Sequence, residues 1–428
     1  MLENLRKIWN TPELRKKILY TFAMLLIYRL VGVIPAPGVD PSNLVDMNQY
    51  GLLQLVNMMT GNAFSQMTIM AMGITPYINA SIIMQLLCIA IPALERMQQD
   101  ETGAGREKIS RITRYVTVGL AALQAIGIVS GLGGVTSANG NARWVNMIMV
   151  GLSMAGGSAL AMWIGERITD KGVGNGISML IFVGIVSNLF NGIITNFTSA
   201  GAQGTTSGWV SVVVIFVVAV LMTIVVTFVE LAERRIPLQI AKQTKGRRVY
   251  GGQNTRLTLK VVSVGVMPLI FAYSFLAFPG TIAQMINSQG AFTQWWNANM
   301  SNGSVLYIII SALLIIAFTY FYSSISFDPK KQAEQLIMQG ATIPGQRSQN
   351  IARYLQSVVG RLNLFAALYL AVLAAVPSLL TRSLNMSVPF AASSILIAVS
   401  VALETIRTIE GEMSIRGVDM DVEKGGFM

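Results

Sequence analysis

Residues 73–87 read GITPYINASIIMQLL, and they contain a conflict that any fold of this chain has to resolve. They lie inside a long apolar tract, but they include three polar side chains, those of Asn79, Ser81 and Gln85. Unpaired polar groups are costly in hydrocarbon, so these side chains need partners. On a helix, at about 100° per residue, they flank Ile78 and Ile82 on one face. Such a face indicates a partner helix, a hydrated cavity, or both.

The composition indicates an integral membrane protein. The 428 residues are 53% hydrophobic and 12% charged, with a mean hydropathy of +0.57, whereas soluble domains carry about 25% charged residues. The chain has one cysteine, Cys88, and no histidine, which excludes a disulfide framework and a cysteine or histidine metal site. The commonest general base is therefore missing, and no phosphate-binding loop motif occurs. We expect neither an enzyme nor a protein with a cofactor.

Apolar runs of about 20 residues predict ten membrane spans. They lie near residues 18–34, 75–94, 115–134, 144–164, 177–195, 209–229, 261–280, 304–326, 362–381 and 388–405. A polar connection without Lys or Arg, residues 190–208, divides them into two halves of five spans. The expected halves are residues 1–200 and residues 201–428. Because five is odd, the halves enter the membrane from opposite sides, which permits an inverted pseudo-repeat.

The distribution of basic residues gives an orientation. Of the 31 Lys and Arg residues, 28 fall at the two termini and in every second connection, whereas the other connections hold only Arg143 and Arg382. By the positive-inside rule both termini are cytoplasmic, and topology accounts for the net charge of +11. The remaining residue, Arg29, lies inside the first predicted span, and we expect its side chain to reach the membrane interface.

The tract before the second span is too long for one span. Residues 51–94 contain no basic residue, and 44 residues would extend roughly 66 Å as a helix, about twice the bilayer core. Gly73 and Pro76 interrupt this tract. Its first part, which ends in FSQMTIMAM, is too short and too polar to span. It predicts a re-entrant half-helix, which membranes tolerate only where it is buried in protein or lines water. We expect an element of this kind to close the mouth of a cavity.

Three motifs resemble the SecY family, the large subunits of bacterial protein-conducting channels. They are residues 73–87, KGVGNGISMLIF at residues 171–182, and RRVYGGQNTRLTLKV at residues 247–261. The resemblance extends along essentially the whole chain. It implies an all-α fold with two inverted halves around an hourglass pore, closed by a plug and an apolar ring. In the second motif, Asn175 is expected to cap the fifth span.

The resemblance also implies roles for individual residues. The pore ring would consist of Ile78, Ile82, Ile181, Ile185, Ile270 and Ile397. The plug, near residues 61–72, would include Gly61, Phe64, Met67 and Met70. A lateral gate toward lipid would involve Asn79, Ser81 and Gln85. Docking of cytosolic partners would use Lys245, Arg247, Arg248 and Arg347, in the basic loops at residues 230–260 and 327–361.

The partners and the location that we expect follow from the same resemblance. They are small SecE-like and SecG-like membrane subunits, the motor ATPase SecA, the ribosome, signal peptides, unfolded preproteins and the lipids of the bacterial cytoplasmic membrane. The sequence thus predicts a channel that passes unfolded polypeptides across the membrane and releases transmembrane segments sideways. The alternative is a secondary carrier for a neutral small solute. The spans lack an ionisable residue near the midplane, which favours the channel.

Overall fold

The structure is a computed structural model. It describes residues 9–38, 57, 60–61, 63–98, 103–132, 143–203, 206–240, 243–245, 248–250, 254–286, 290–300, 304–345, 347, 350–384 and 392–415. The chain is mostly helical in these residues. The helices are α1 Pro12–Val31, α2 Thr75–Ala90, α3 Pro92–Gln98, α4 Ala104–Leu132, α5 Arg143–Lys171, α6 Gly176–Gln203, α7 Thr206–Leu231, α8 Met267–Ile286, α9 Ala291–Asn299, α10 Val305–Ser326, α11 Pro329–Met338, α12 Ile351–Leu384 and α13 Ala392–Ile415. The strands are β1 Glu233–Ile240, β2 Gln243–Lys245, β3 Arg248–Tyr250, β4 Asn254–Lys260 and β5 Ala341–Thr342.

Several helices are long and apolar enough to cross a membrane. By length and composition, five such stretches occur among the described residues: Trp144–Lys171, Gly176–Thr195, Val212–Leu231, Val305–Met338 and Ile351–Leu379. A sixth is present if Thr75–Cys88 and Pro92–Gln98, which are bent by 108°, form one span. A multi-pass membrane protein is therefore confirmed, while the count of ten spans stays a prediction.

Proline chemistry explains where α2 begins and ends. Pro76 lies in its first turn, where the missing N–H is not needed. Ile91 follows the helix and precedes Pro92, which disfavours a helical conformation for it. Accordingly, Ile91 is extended, with φ −112° and ψ 110°, and α3 begins at Pro92. The predicted second span is thus broken near its end.

The predicted loop at residues 190–208 is wrong. Helix α6 continues to Gln203, and α7 begins at Thr206. A helix of 28 residues is about 42 Å long, which exceeds the hydrocarbon core of a bilayer. Polar residues such as Asn191 and Asn196 therefore mark where a helix can leave hydrocarbon, and they do not end it. The start of the seventh predicted span also differs, because residues 261–266 form turns before α8.

The prediction of an all-α fold is wrong for the basic loops, which contain two small sheets. Strand β1 pairs antiparallel with β4, from Glu233 opposite Lys260 to Gln239 opposite Asn254. It also pairs with β5, so that the sheet order is β4-β1-β5. Strands β2 and β3 form a separate hairpin. A period-two alternation in ERRIPLQI and NTRLTLK was the available signal for these strands.

A hydrophobic cluster joins the two long basic loops into one folded region. Its buried members are Ile236, Leu238, Ala333, Leu336, Ala341, Ile343, Ile351 and Leu355. They come from β1, α11, β5 and the start of α12. Asp328 caps α11, because its carboxylate accepts hydrogen bonds from the backbone N–H groups of Lys330 (3.0 Å) and Lys331 (3.4 Å). The two loops therefore share a single apolar core.

The chain divides into two compact units. The first contains Met1–Ala202, Ala277–Ser301 and Val401–Met428, and the second contains Gln203–Leu276 and Asn302–Ser400. In the first unit, α4 packs against α2 and α5, and α1 packs against α5. In the second, α10 packs against α12, and the buried residues of α10 occur at every fourth position. These residues are Tyr307, Ser311, Ile315, Thr319 and Ser323.

Candidate functional site

A non-helical segment is buried in the first unit, directly before α2. Residues 63–74, which we call the buried segment, form consecutive turns. Residues 57 and 60 are helical, so the predicted half-helix is wrong only for residues 61 and 63–72 among those described. The physical reason is backbone conformation: Met67 has a φ of +44°, and Gly61 and Gly73 have φ values of +69° and +51°. Right-handed helices require negative φ, so three such positions within 13 residues prevent a continuous helix.

Hydrogen bonds to the residues after α1 hold the middle of the buried segment. The backbone N–H of Ala36 donates to the carbonyl of Met67, and that of Ile69 donates to the carbonyl of Ile34, both at 3.0 Å. Thr68 also donates from Oγ1 to the carbonyl of Ala63 at 3.2 Å. These contacts satisfy backbone groups that have no helical partner, which a buried chain requires.

Apolar packing encloses the same segment. The predicted plug residues Phe64, Met67 and Met70 are each at most 2% exposed. Phe64 and Met67 belong to a cluster that also contains Ala36, Ala71, Met72, Ala125, Val129, Val150 and Met154. Four of these residues lie on α4 and α5. The segment is thus inserted against two long helices of the first unit.

A glycine permits the closest approach of the buried segment to α5. A Cβ atom at Gly157 would collide with the carbonyl oxygen of Ile69. The neighbouring Gly156 has open space around its own Cβ position. Small residues at helix contacts allow backbones to approach closely in membrane proteins. Gly157 therefore allows the backbone of the buried segment to lie directly on α5.

Polar side chains from α1 and α6 reach the residues just before the buried segment. Asn188 donates from Nδ2 to the carbonyl of Asn57 at 2.9 Å, and Oδ1 of Asn57 accepts from the backbone N–H of Ser65 at 2.9 Å. Arg29, for which we expected an interfacial position, is half-buried and donates from Nη1 to the carbonyl of Gly61 at 3.4 Å. These contacts could not be predicted, because nothing local in the sequence indicates them.

The six isoleucines predicted for the pore ring lie on four helices. Ile78 and Ile82 are one turn apart on α2, and Ile181 and Ile185 are one turn apart on α6, so each pair lies on one helix face. Both pairs belong to the first unit, and Ile82 is the one of the four that is only half-buried. In the second unit, Ile270 on α8 is half-buried and Ile397 on α13 is buried.

The polar residues predicted for the lateral gate share α2 with the first isoleucine pair. Asn79, Ser81 and Gln85 are all half-buried. The side of α2 that carries Ala80, Met84 and Cys88 is buried instead, each at most 3% exposed. The polar side chains therefore lie beside the packed face of the helix.

The turn before α6 is fixed by two capping interactions. Oδ1 of Asn175 accepts hydrogen bonds from the backbone N–H groups of Ile177 (3.1 Å) and Ser178 (3.4 Å), which confirms the predicted cap. Thr21 on α1 accepts from the backbone N–H of Val173 through Oγ1 at 3.0 Å. Together they set the position from which α6 carries Ile181 and Ile185.

The basic residues predicted for docking lie in or beside the folded region of the two loops. Lys245 ends β2 and pairs with Arg248 at the start of β3. Arg247 lies outside the described residues. Arg347 is exposed and follows the turn at Pro344 and Gly345, where Gly345 has a φ of +82°. Across the described ranges, no cluster of three acidic or cysteine residues could hold a metal ion.

Sequence comparisons relate the chain to one family. The family profile described as SecY matches residues 68–406. The protein translocase subunit SecY of Streptomyces galbus is 40% identical over 439 residues, covering 98% of this chain and 99% of that protein. The match therefore extends over almost the full length of both chains.

The fold is similar to that of solved channels. A protein-conducting channel gives a TM-score of 0.68 at 17% identity. A SecY structure, whose plug domain stabilises the closed state of the translocation channel and maintains a membrane seal, gives 0.64 at 18%. Sec61 in the canine ribosome–channel complex from the endoplasmic reticulum gives 0.65 at 16%. Each covers 96% of this chain and 95% of the other. At these identities, the likeness establishes the fold.

The contact at Gly157 gives a prediction that needs no assumption about function. Gly157→Ala should displace the buried segment, because the new methyl group would overlap the carbonyl of Ile69. The measurement is the labelling rate of a cysteine introduced at Ala71, which is 1% exposed, in a Cys88→Ala background. We expect labelling by a membrane-impermeant maleimide to be about tenfold faster, since overpacking costs about 1–3 kcal/mol. Gly156→Ala is the matched control, and equal rates for both variants would contradict the contact.

Proposed function

Because the chain belongs to the SecY family, we infer that it is a protein-conducting channel of the bacterial membrane. It translocates unfolded secretory polypeptides and releases transmembrane segments sideways into lipid. The observation that carries this function is the full-length similarity to translocase subunits of the SecY kind. The multi-pass helical architecture is consistent with it, because a polypeptide can cross the membrane only through a path enclosed by protein.

The topology that we propose has ten spans, in two inverted halves at residues 1–200 and 201–428, with both termini cytoplasmic. The distribution of basic residues supports this orientation. Each of the ten apolar runs lies mainly on a helix of the structure. Among the described residues, five helical stretches, or six with the bent pair, are long and apolar enough to cross a membrane by themselves. The remaining spans would rely on protein neighbours to shield polar positions such as those of α2.

We propose that the buried segment, with Gly61 before it, is the plug of this channel. Its burial against α4 and α5 supports this role, because a plug has to be enclosed by protein in the resting channel. Its contacts also suit a movable element. The segment is attached by a few backbone hydrogen bonds and by methionines, which pack without a fixed shape.

A collar of apolar side chains is the second proposed barrier. Ile78, Ile82, Ile181 and Ile185 would contribute from the first unit, and Ile270 and Ile397 from the second. The support is the spacing of one turn within each of the first two pairs, together with the resemblance to the family. Apolar constrictions block ions because water leaves them, so a collar of this kind needs no specific shape.

The half-buried polar residues of α2 are proposed to form part of the lateral gate. Asn79, Ser81 and Gln85 can make contacts that hold a seam between helices in the closed channel. Polar contacts between membrane helices contribute about 0.6 kcal/mol each on average, so a seam that contains a few of them can still open. This combination would allow a signal peptide to part the helices and enter lipid.

The folded region of the two basic loops is the proposed docking site for cytosolic partners. The chain has no phosphate-binding loop motif, so a partner such as SecA or the translating ribosome would supply the energy. Arg234, Arg235, Arg256, Lys260 and Arg347 are exposed in this region and can meet acidic or RNA surfaces. Small SecE-like and SecG-like subunits would complete the membrane complex.

Crosslinking tests the function directly. A photoreactive residue placed at Ile82 should crosslink to a stalled secretory chain on its ribosome, because the translocating chain must pass the collar. The control carries the same probe at Phe216, which is 59% exposed on α7. A carrier for a small neutral solute would give no adduct at Ile82, and that result would overturn the proposal.

The collar predicts that apolarity matters more than shape. Joint replacement of Ile78, Ile82, Ile181, Ile185 and Ile270 by Asn should make the resting channel conduct ions, because polar side chains favour a continuous file of water. Replacement by Val or Leu should keep the seal. Conductance in planar bilayers measures both.

Thermal stability in detergent distinguishes the collar from ordinary packing residues. For packing residues, truncation to Gly would cost about 2–5 kcal/mol at each large-to-small change without opening a path for ions. A destabilised variant with several glycines that remains tight to ions would therefore exclude the collar.

Charge reversal tests the docking region. Arg248→Glu and Arg347→Glu together should weaken the binding of ribosomes, and each lost phosphate contact should reduce the salt dependence by about one unit of slope. Binding is measured with the protein in nanodiscs at several salt concentrations. Arg96→Glu, an exposed position on α3, is the control. If the double variant binds ribosomes as strongly as the control does, Arg248 and Arg347 contribute only to the orientation of the chain in the membrane.

A further inference from the structure

We propose that Asn188 and Arg29 form a latch that holds the buried segment in place, and that this latch is strong when dry and weak when wet. The latch rests on the proposed function, since it regulates the segment that we assign as the plug. Its two donors lie on α6 and α1, and both acceptors are backbone carbonyls at Asn57 and Gly61. They act as positioning residues.

The first half of the latch is a chain of two hydrogen bonds through Asn57. Asn188, which is 8% exposed, donates to the carbonyl of Asn57, while the side chain of Asn57 accepts from the backbone of Ser65. Asn57 thus connects α6 to the buried segment itself. Asn188 also lies three residues after Ile185, on the helix that carries the second isoleucine pair. Movement of this part of α6 would therefore alter the latch and the proposed collar together.

The second half of the latch is the contact between Arg29 and Gly61. The guanidinium lies so close to Gly61 that a Cβ atom there would collide with it. Gly61 also has a φ of +69°, which side-chain-bearing residues rarely adopt. Both constraints require glycine at position 61. Because glycine has no side chain, the guanidinium of Arg29 can contact the backbone there. The donor of this half is charged, but its distance of 3.4 Å is longer than the 2.9 Å of the Asn188 contact.

Dependence on water distinguishes a latch from ordinary structural contacts. In a dry site the loss of a donor is costly, because no water replaces it. The carbonyl of Asn57 also accepts from Oγ1 of Thr60 at 3.2 Å, so the loss of Asn188 removes one of its donors. Once water enters, it replaces either donor, and the net contribution of the bond becomes small. Hydration caused by a translocating chain would therefore release the segment, and exclusion of water would hold it again.

Cysteine accessibility tests the latch. The probe is again Ala71→Cys in the Cys88→Ala background, labelled by a membrane-impermeant maleimide in proteoliposomes. Asn188→Leu keeps the size of the side chain but has no donor, and Arg29→Met keeps its apolar stem without the guanidinium. Each should raise the labelling rate about tenfold, the effect expected for one hydrogen bond in a buried site. Arg29→Lys, which keeps the charge, should give an intermediate rate.

Asn191→Leu is the matched control, since Asn191 is an exposed asparagine on the same helix, three residues after Asn188. Its labelling rate should equal that of the parent. If Asn188→Leu does not accumulate in the membrane, Asn188→Ala removes the same donor with less steric change. Thermal unfolding in detergent is measured for every variant. A lower unfolding temperature without faster labelling would reduce Asn188 and Arg29 to structural contacts and overturn the latch.

A translocation assay of the parent protein distinguishes failure of the latch from failure of the proposed function. If the parent protein translocates a secretory chain but both donor variants label at its rate, the latch is wrong and the channel remains. If the parent does not translocate with its partners present, the proposed function itself fails. Faster labelling of both variants, with a translocating parent, supports the latch.

Discussion

No water is available inside a bilayer to replace a lost backbone hydrogen bond, so every N–H and C=O group at that depth needs a partner within the protein. Helices meet this requirement by themselves. The buried segment cannot, because Met67 and Gly73 have positive φ values. Its partners come from Ile34 and Ala36 after α1, and Arg29 and Asn188 bond the residues just before it. The arrangement of α1, α5 and α6 around this segment follows from that need.

Close packing around the buried segment depends on two glycines, which have no side chain to keep neighbouring atoms apart. Gly157 lets the buried segment lie against α5, and Gly61 gives Arg29 access to a backbone carbonyl. The rest of the contact is made by Phe64 and methionines. This combination leaves few shape-specific contacts between the segment and the helices. Methionines pack without a fixed shape, which suits the role that we propose for the segment.

The two basic loops follow a different principle, because many of their side chains are exposed. The two long basic loops fold together through the pairing of β1 with β4 and β5 and through a shared apolar core. Their basic residues are therefore presented on an ordered surface, with Arg347 directly after a glycine turn. In the topology that we propose, the positive-inside rule accounts for the basic residues of these loops, whereas the folded core explains why the loops are long.

The sequence by itself determined the features that depend on local composition and period. Apolar runs predicted the multi-pass architecture, Asn175 was predicted as a cap from its neighbours, and three motifs indicated the family. The alternation in β1 and β4 was also present, but a loop rich in charge obscured it. Ten spans and the pore residues remain proposals, because they concern positions that no local pattern specifies.

Only the tertiary structure decided how the buried segment is held. Asn188 and Asn57 are 131 residues apart in sequence, and Arg29 and Gly61 are 32 apart. A backbone carbonyl can accept a hydrogen bond in any type of residue, so the sequence does not indicate which donor will reach it. Positive φ at Met67 is likewise imposed by the surrounding contacts, since the residue itself favours negative values. Local preferences set the helices, and long-range contacts set the conformation of the segment between them.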